Sequence, residues 1–499
     1  MMMRVLSVLL LCAGSASAKP NIVYILCDDL GYGDVHCLNS EGKIATPNMD
    51  RLAKSGITFT DAHSSSAVCS PTRYGVLTGR YNWRSPLKNG VLNGYSPRLI
   101  EEGRLTVPAF LKSQGYTTAC IGKWHLGIDM PLKEGGIAKD YGDQWKVDYT
   151  KPLKNGPLAV GFDSYFGISA SLDMPPYVWI ENDRFTKVPT VDKTWIRKGP
   201  AADDFEAVDV LPTLTAKAVT YISDRAADAK KGKPFFLYLP LTSPHTPLVP
   251  SKEWQGKSGL NDYADFVMQT DDTVGQVLDA IRKAGIAEDT LVIMTSDNGC
   301  SPKADFPELL KKGHNPSYKS RGLKADIFDG GHHVPFLAAC PAKIKPGSVC
   351  DQTICLTDLF ATVAAMLDQK LPDTAAEDSV SMLPAFEGKV DQALRDTIVH
   401  HSINGSFAIR QGPWKLALCP DSGGWSAPLP GKNKLNLPAV QLYDLKNDVG
   451  EKNNVADAQT ERVERLTQLL EKQVAEGRST PGGKQKNTGD VRIRPGQKR

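Results

Sequence analysis

Between about residues 20 and 390, short apolar runs alternate with stretches whose apolar positions recur at helical spacing. Residues 21–27 (NIVYILC), 117–122 (TTACIG), 234–240 (PFFLYLP), 290–296 (TLVIMTS) and 334–340 (VPFLAAC) are predicted strands. Several of these are apolar throughout, as strands covered on both faces must be. The stretch after Cys69 and residues 106–113, 262–284 and 356–367 are predicted helices. The alternation specifies an α/β fold, a central sheet flanked by helices. After about residue 394 the pattern changes. SFAIRQGPWKLAL and AVQLYDLKND read as strands of an antiparallel sheet, and an amphipathic helix follows over about 459–476. The last stretch, 479–499, is rich in Gly, Pro, Lys and Arg and is expected to be a mobile basic tail. The expected division is a main domain over 19–394, a smaller α+β subdomain over 395–478 and the tail; no internal repeat is present.

Length agrees with that division, since 499 residues exceed what one core usually serves. With 41% hydrophobic and 23% charged residues, wholesale disorder is excluded. A net charge of +3, from 59 basic and 56 acidic residues, gives no reason to expect a nucleic-acid partner. Residues 1–18, MMMRVLSVLLLCAGSASA, join one Arg, a short apolar run and a small-residue ending at Ala18. That is the pattern of a secretory signal cleaved after Ala18. No later run is apolar and long enough to span a bilayer, so the chain is expected to be exported, periplasmic or secreted. Of ten cysteines, Cys12 would leave with the signal. Apart from Cys69, the other eight could pair in an oxidising compartment or stay as buried thiols, and their pairing is not readable from sequence.

The ends of the apolar runs carry the chemistry. The run at 21–27 is followed by Asp28 and Asp29, and that at 117–122 by Lys123 and His125 in GKWHLG. The run at 234–240 leads to His245 in TSPHTP, and that at 290–296 to Asp297 and Asn298 in SDNG. Open α/β sheets bind ligands outside the carboxyl ends of their strands, so these groups are expected at one edge. Asp28, Asp29, Asp297 and Asn298 offer only oxygen, which suits a hard cation, Ca²⁺ or alternatively Mg²⁺, rather than zinc. Either pair alone reads more readily as a turn or helix cap; their company favours the metal. Cys69 stands apart, in SSSAVCSPTRYGVLTGRY, where small residues and a Pro mark a loop opening onto a helix N-terminus.

CSPTR with the trailing GVLTGRY, DDLGYGD, GKWHLG, SPHTP, SDNG and GLKADIFDGGHHVP together resemble the type I sulfatase family over most of the chain. The resemblance implies an alkaline-phosphatase-like fold with a mixed central sheet and a small C-terminal antiparallel sheet. It implies that Cys69 is oxidised to Cα-formylglycine by a separate maturation enzyme and also touches the metal. The hydrated aldehyde would attack sulfur with one hydroxyl, displacing the alcohol; loss of a proton from the other would then expel sulfate. A serine there would be left as a stable sulfate ester. The implied roles are Arg73 holding the formylglycine hydrate and steadying the metal carboxylates, and Lys123 and Lys324 binding sulfate oxygens. His125 would accept the hydrate's proton, and His245 would protonate the departing oxygen.

One departure follows Lys324, where relatives carry Glu-Gly-Gly and then an Arg-containing stretch. Here the run is Asp329-Gly330-Gly331-His332-His333, and His332 is either a substrate contact or a packing residue. Residues 172–185, LDMPPYVWIENDRF, mix Pro, aromatic and charged groups; Asp173, Trp179 and Arg184 are the expected sugar contacts, unless the segment is ordinary strand and loop. The expected activity is hydrolysis of a sulfuric ester, a sulfated carbohydrate or aryl sulfate, with exo action on a glycan. The alternatives are a phosphate or phosphonate ester hydrolase on the same scaffold and a catalytically silent glycan-binding protein.

Overall fold

A computed structural model describes residues 19–431 and 437–494. The signal expected over residues 1–18 lies outside the described residues. The Asn21–Cys27 strand sits inside a ten-stranded mixed sheet. Thr290–Ser296 flanks it on one side and Phe235–Pro240 on the other, with Thr117–Lys123 and then Ser164–Ile168 beyond. These five strands run parallel, and the registers leave their carboxyl ends nearly flush: Cys27 pairs with Ser296, and Leu26 with Pro240. Every residue of Asn21–Cys27, Phe235–Pro240 and Thr290–Ser296 is buried, which is why they read as unbroken apolar runs. Beyond Thr290–Ser296 the sheet turns antiparallel through Phe336–Ala339.

Asp262–Lys283 is the longest helix among the described residues and packs against Val210–Ala229 and Pro47–Ser55. Asn261 caps it by accepting from the Ala264 amide, with acids in the first turn and Arg282 and Lys283 in the last, matching the helix dipole. The predicted strands at 117–122 and 334–340 are observed as Thr117–Lys123 and Phe336–Ala339. The three-residue strand Ile57–Phe59 is too short to carry a period.

The C-terminal part is a four-stranded antiparallel sheet of Ile398–His401, Phe407–Gln411, Trp414–Ala417 and Gln441–Asp444. The Thr460–Glu476 helix lies on it and buries Leu466 and Leu470. Tyr81 and Trp83, from the segment after the Cys69 helix, complete this second core. The last stretch departs from the expected mobile tail as far as residue 494. Arg80 donates to the Lys486 carbonyl at 2.7 Å, Arg84 to Asn487 at 3.0 Å, and the Thr488 amide to the Arg84 carbonyl at 2.6 Å; Ile493 is buried. The stretch supplies further acceptors to two buried guanidinium groups, a demand its composition cannot reveal. All nine described cysteines are free thiols. Among the described residues no helix is long and apolar enough to cross a membrane.

Arg84 also forms a two-pronged pair with Asp378, Nε to Oδ2 at 2.8 Å and Nη2 to Oδ1 at 2.9 Å, both side chains fully buried. Arg84→Ala leaves the Asp378 carboxylate buried without its counter-ion and should cost about 3–5 kcal/mol. Urea unfolding checks this; a loss under about 1 kcal/mol would show that the buried pair contributes little to the stability of the fold.

Candidate active site

The site is assembled at the carboxyl edge of the parallel strands. Asp28 and Asp29 follow Asn21–Cys27, Asp297 and Asn298 follow Thr290–Ser296, Lys123 ends its strand, and His245 lies beyond Phe235–Pro240. Gly122 permits this convergence: its φ is +138°, and a Cβ there would meet the Pro240 carbonyl oxygen at 1.9 Å. Asp29 (φ 66°), His125 (φ 56°) and Ala325 (φ 81°) also hold left-handed backbone, which non-glycine residues tolerate mainly where surrounding structure enforces it.

Cys69 opens a ten-residue helix, Cys69–Thr78, all of it buried. Its sulfur, one carboxylate oxygen each from Asp28 and Asp29, and a His245 ring nitrogen lie within 4.8 Å of one another. The first-turn amides of that helix favour negative charge at residue 69. Arg73, one turn on, donates twice to Asp297 Oδ2 (2.7 and 3.0 Å), once to the Lys123 carbonyl (3.1 Å), and stands 3.7 Å from Asp28 Oδ1. Lys123 Nζ donates to Asp28 Oδ2 at 2.6 Å, and Lys324 Nζ lies 2.6 Å from Asp29 Oδ1. Three buried carboxylates thus face three fixed cations.

Asp28 Oδ1 and Asn298 Oδ1 are buried and accept no hydrogen bond, while Asn298 Nδ2 is spent on Asp29 Oδ1 at 2.7 Å. Unsatisfied acceptors in a cluster of three carboxylates and an amide are what a hard cation coordinates. The residues present therefore fit the expected ion. Burial works against charge on Asp28, but Lys123, with His245, Arg73 and Lys324 behind it, holds it well below the usual carboxylate range. Burial and the charge on Asp28 raise Asp297 to about 6 against the pull of Arg73 and Lys123.

The two imidazoles differ. His125 Nε2 lies 2.7 Å from the Leu92 carbonyl, an acceptor, so that nitrogen carries the proton and the partnerless Nδ1 presents a lone pair. Burial, helped by the Lys123 charge, pushes His125 well below the ordinary histidine range. His245 Nδ1 lies 2.6 Å from the Thr246 carbonyl, and its Nε2 stands 3.7 Å from Asp29 Oδ2. Burial and Lys324 oppose its charge, but Asp29 and Asp28 outweigh them and raise it to about 9.

Above these groups opens a cleft of about 430 Å³, walled by Cys69, His125, His245 and Lys324. Of the expected sugar contacts only Asp173 lines it. Trp179 stacks on Phe166 at 4.9 Å and packs on Phe205, so its ring serves the core. Arg184 lies on the far edge strand of the sheet. His332 is fully buried beside Lys415, its ring stacked 3.6 Å from His400, and is a packing residue. Lys123 is also off the wall, its ammonium engaged with Asp28. The reading of sequence missed Arg197, Ile196, Lys303, Ile403 and Trp425, all of which line the cleft. The last two come from loops of the C-terminal part, and nothing in a loop's composition announces which surface it covers.

A sulfatase family profile matches residues 20–369. The N-acetylgalactosamine-6-O-sulfatase of Bacteroides thetaiotaomicron is 33% identical, the match covering 92% of this chain and 94% of that one. Human arylsulfatase A is 31% identical over 92% of this chain and 89% of its own. A solved sulfatase from Bacteroides thetaiotaomicron, described in work on glycosaminoglycan metabolism, superposes with a TM-score of 0.78 at 32% identity, covering 91% of this chain and 99% of that one. With its alkaline-phosphatase-like sheet and a cysteine set among paired carboxylates, the chain belongs to the sulfatase family and is a sulfuric ester hydrolase.

Proposed function

We propose that the enzyme removes sulfate from a sulfated carbohydrate, using a formylglycine made from Cys69 and a calcium ion held by Asp28, Asp29, Asp297 and Asn298. The observation that carries this reading is the meeting of Cys69 with Asp28, Asp29 and His245 at the floor of an open cleft. A cleft of about 430 Å³ has room for a sugar ring, and similarity to sulfatases named for N-acetylgalactosamine 6-sulfate supports the carbohydrate class.

A formylglycine at position 69 supplies a nucleophile that can release the sulfate it has taken. The cation supplies Lewis acidity and a fixed charge for the sulfate oxygens. The chain's own groups do the rest. Arg73 locks Asp297 with two hydrogen bonds, and Lys324 locks Asp29, so the ligand oxygens are set before substrate arrives. Lys324 also reaches the cleft wall, where its charge opposes that of a bound sulfate. His125 Nδ1 is the base that removes a proton at residue 69, and His245 Nε2 delivers one to the departing oxygen. Cys69 is only 2% exposed, within a helix buried along its whole length, so a maturation enzyme must act before this helix closes into the sheet. The export expected from residues 1–18 would make a periplasmic or extracellular glycan the accessible substrate.

Calcium binding has a test independent of turnover. Protein stripped with a chelator should gain thermal stability as Ca²⁺ is restored, by about 2.7 kcal/mol at a hundredfold excess over Kd. Desulfation of a 6-sulfated hexosamine, followed by sulfate release, should fall with stripping and recover with the ion. A melting curve and a sulfate-release rate that both ignore stripping and restoration would remove the cation from the scheme.

A further inference from the structure

One wall of the cleft is built from two segments with no part in the sulfate chemistry. Asp173 lies in the loop after Ser164–Ile168, and Ile196 and Arg197 form the tip of the hairpin Val191–Trp195/Arg197–Ala201. Asp173 Oδ2 is paired with Arg197 Nη1, and Tyr177 ties both segments together, its hydroxyl lying against the backbone carbonyls of Asp173 and Arg197. The Tyr177 amide donates to Pro200 at 2.9 Å, and Trp195 packs edge-on against the Tyr177 ring at 4.7 Å. Gly199 lets the hairpin sit this close, since a Cβ there would come within 2.5 Å of Pro175. The result is a fixed pair on a braced support, set into the cleft wall.

Three further features point to a ligand. Asp173 Oδ1 is buried on the cleft wall and accepts no hydrogen bond, and Ser171 Oγ beside it is equally without a partner. Arg197 keeps 41% of its side chain exposed, with only one of its terminal nitrogens committed to Asp173. Ile196, 58% exposed and lining the same cleft, holds φ at +79°, which is strained for a β-branched residue. The geometry points to a sugar-hydroxyl subsite formed by Asp173 and Arg197 beside the sulfate-binding floor. Asp173 Oδ1 accepts from one hydroxyl of the sulfated ring and the Arg197 guanidinium donates to its neighbour. Apolar Ile196, together with Trp425 (45% exposed), offers surfaces for the ring's C–H faces. This inference rests on the carbohydrate reading above and narrows it. The preferred substrate is a sulfated sugar with free adjacent hydroxyls, because a buried carboxylate left without its donor penalises any ring that lacks one.

The experiment compares kcat/KM on two probes, 6-sulfated N-acetylgalactosamine and 4-nitrocatechol sulfate, for the wild type, R197A, R197K and D173N, all matured in the same host. The ratio of sugar to aryl activity should fall about 100-fold in R197A and D173N, with R197K between them and the wild type. If the wild type desulfates the sugar and the ratio stays constant across all three variants, the subsite is wrong while the carbohydrate reading stands. If the wild type cleaves only the aryl sulfate, the carbohydrate reading fails and the subsite fails with it. Melting temperatures close to wild type in R197A separate lost recognition from lost fold.

Discussion

Cys69→Ala is expected to abolish sulfatase turnover, by about 10⁴-fold or more on any ester, while the protein still folds. The alanine side chain is smaller than the thiol it replaces, and the ion pairs around it run among Arg73, Lys123, Lys324 and the three aspartates without using residue 69. The floor of the cleft therefore survives with its charges in place. On the proposed mechanism what is lost is the atom that attacks sulfur, and no neighbour replaces it: both lysines are held by carboxylates, and His125 and His245 are assigned the proton transfers. Cys69→Ser makes the sharper test. Its hydroxyl can take the sulfuryl group from one substrate molecule but has no second hydroxyl with which to expel it. A burst of alcohol approaching one equivalent per enzyme, followed by arrest, is the expected trace. Steady turnover of 4-nitrocatechol sulfate by either variant at near wild-type rate would mean that Cys69 is not the precursor of the nucleophile.

Much of this site was legible before any coordinates, for a definable reason. In a parallel sheet the carboxyl ends of the strands share an edge, so finding each apolar run was enough to place the residues that follow it. Asp28, Asp29, Lys123, His125, His245, Asp297 and Asn298 all follow such runs and are brought to that edge. Their backbone is as informative as their chemistry, since Asp29 and His125 adopt left-handed conformations that turn them off the strand axis. Lys324 is different, because it sits in a loop between secondary elements with no periodic pattern to locate it. Its position came only from likeness to a family motif.

The proposed sugar contacts were poorly legible because that wall of the cleft is built from a loop and a hairpin tip whose partners are remote in sequence. Trp179 has the look of a sugar platform, yet it packs between Phe166 and Phe205 under the sheet edge. Arg197 lies beyond residues 172–185, and it pairs with Asp173 where the Tyr177 brace brings the two segments together. His332 was ambiguous by type: a histidine beside a glycine pair can face a ligand or a core. The core wins here because Lys415, Asp329 and Glu451 form a buried charge network around it, with Lys415 2.6 Å from Asp329 and 2.8 Å from Glu451. The C-terminal stretch was misread for the same reason, as its order comes from Arg80 and Arg84, some 400 positions upstream.

His245→Ala should lower kcat/KM by about 10²–10⁴-fold on a sugar sulfate and by much less on an aryl sulfate. The difference follows from the leaving group. A sugar alkoxide is strongly basic and cannot depart without a proton, whereas a nitrophenolate leaves largely unaided. On the proposed mechanism His245 supplies that proton. Its Nδ1 lies 2.6 Å from the Thr246 carbonyl, which fixes the ring, and it forms part of the cleft wall above Cys69. The Asp29 oxygen 3.7 Å from Nε2 is Oδ2, which accepts from Lys324 Nζ at 2.8 Å, while Asn298 holds the other carboxylate oxygen, so the ring faces a fixed negative charge rather than a mobile one. Truncation to alanine removes the donor but keeps these partners, and Asp29 retains its other two contacts. Sulfate release from 6-sulfated N-acetylgalactosamine and from 4-nitrocatechol sulfate, measured on the same preparation, gives the two losses directly. Equal losses on both esters would show that His245 acts by holding the cation-binding carboxylates or the sulfate, not by protonating the leaving oxygen. A small loss on the sugar sulfate would show that another group on the cleft wall carries that proton instead.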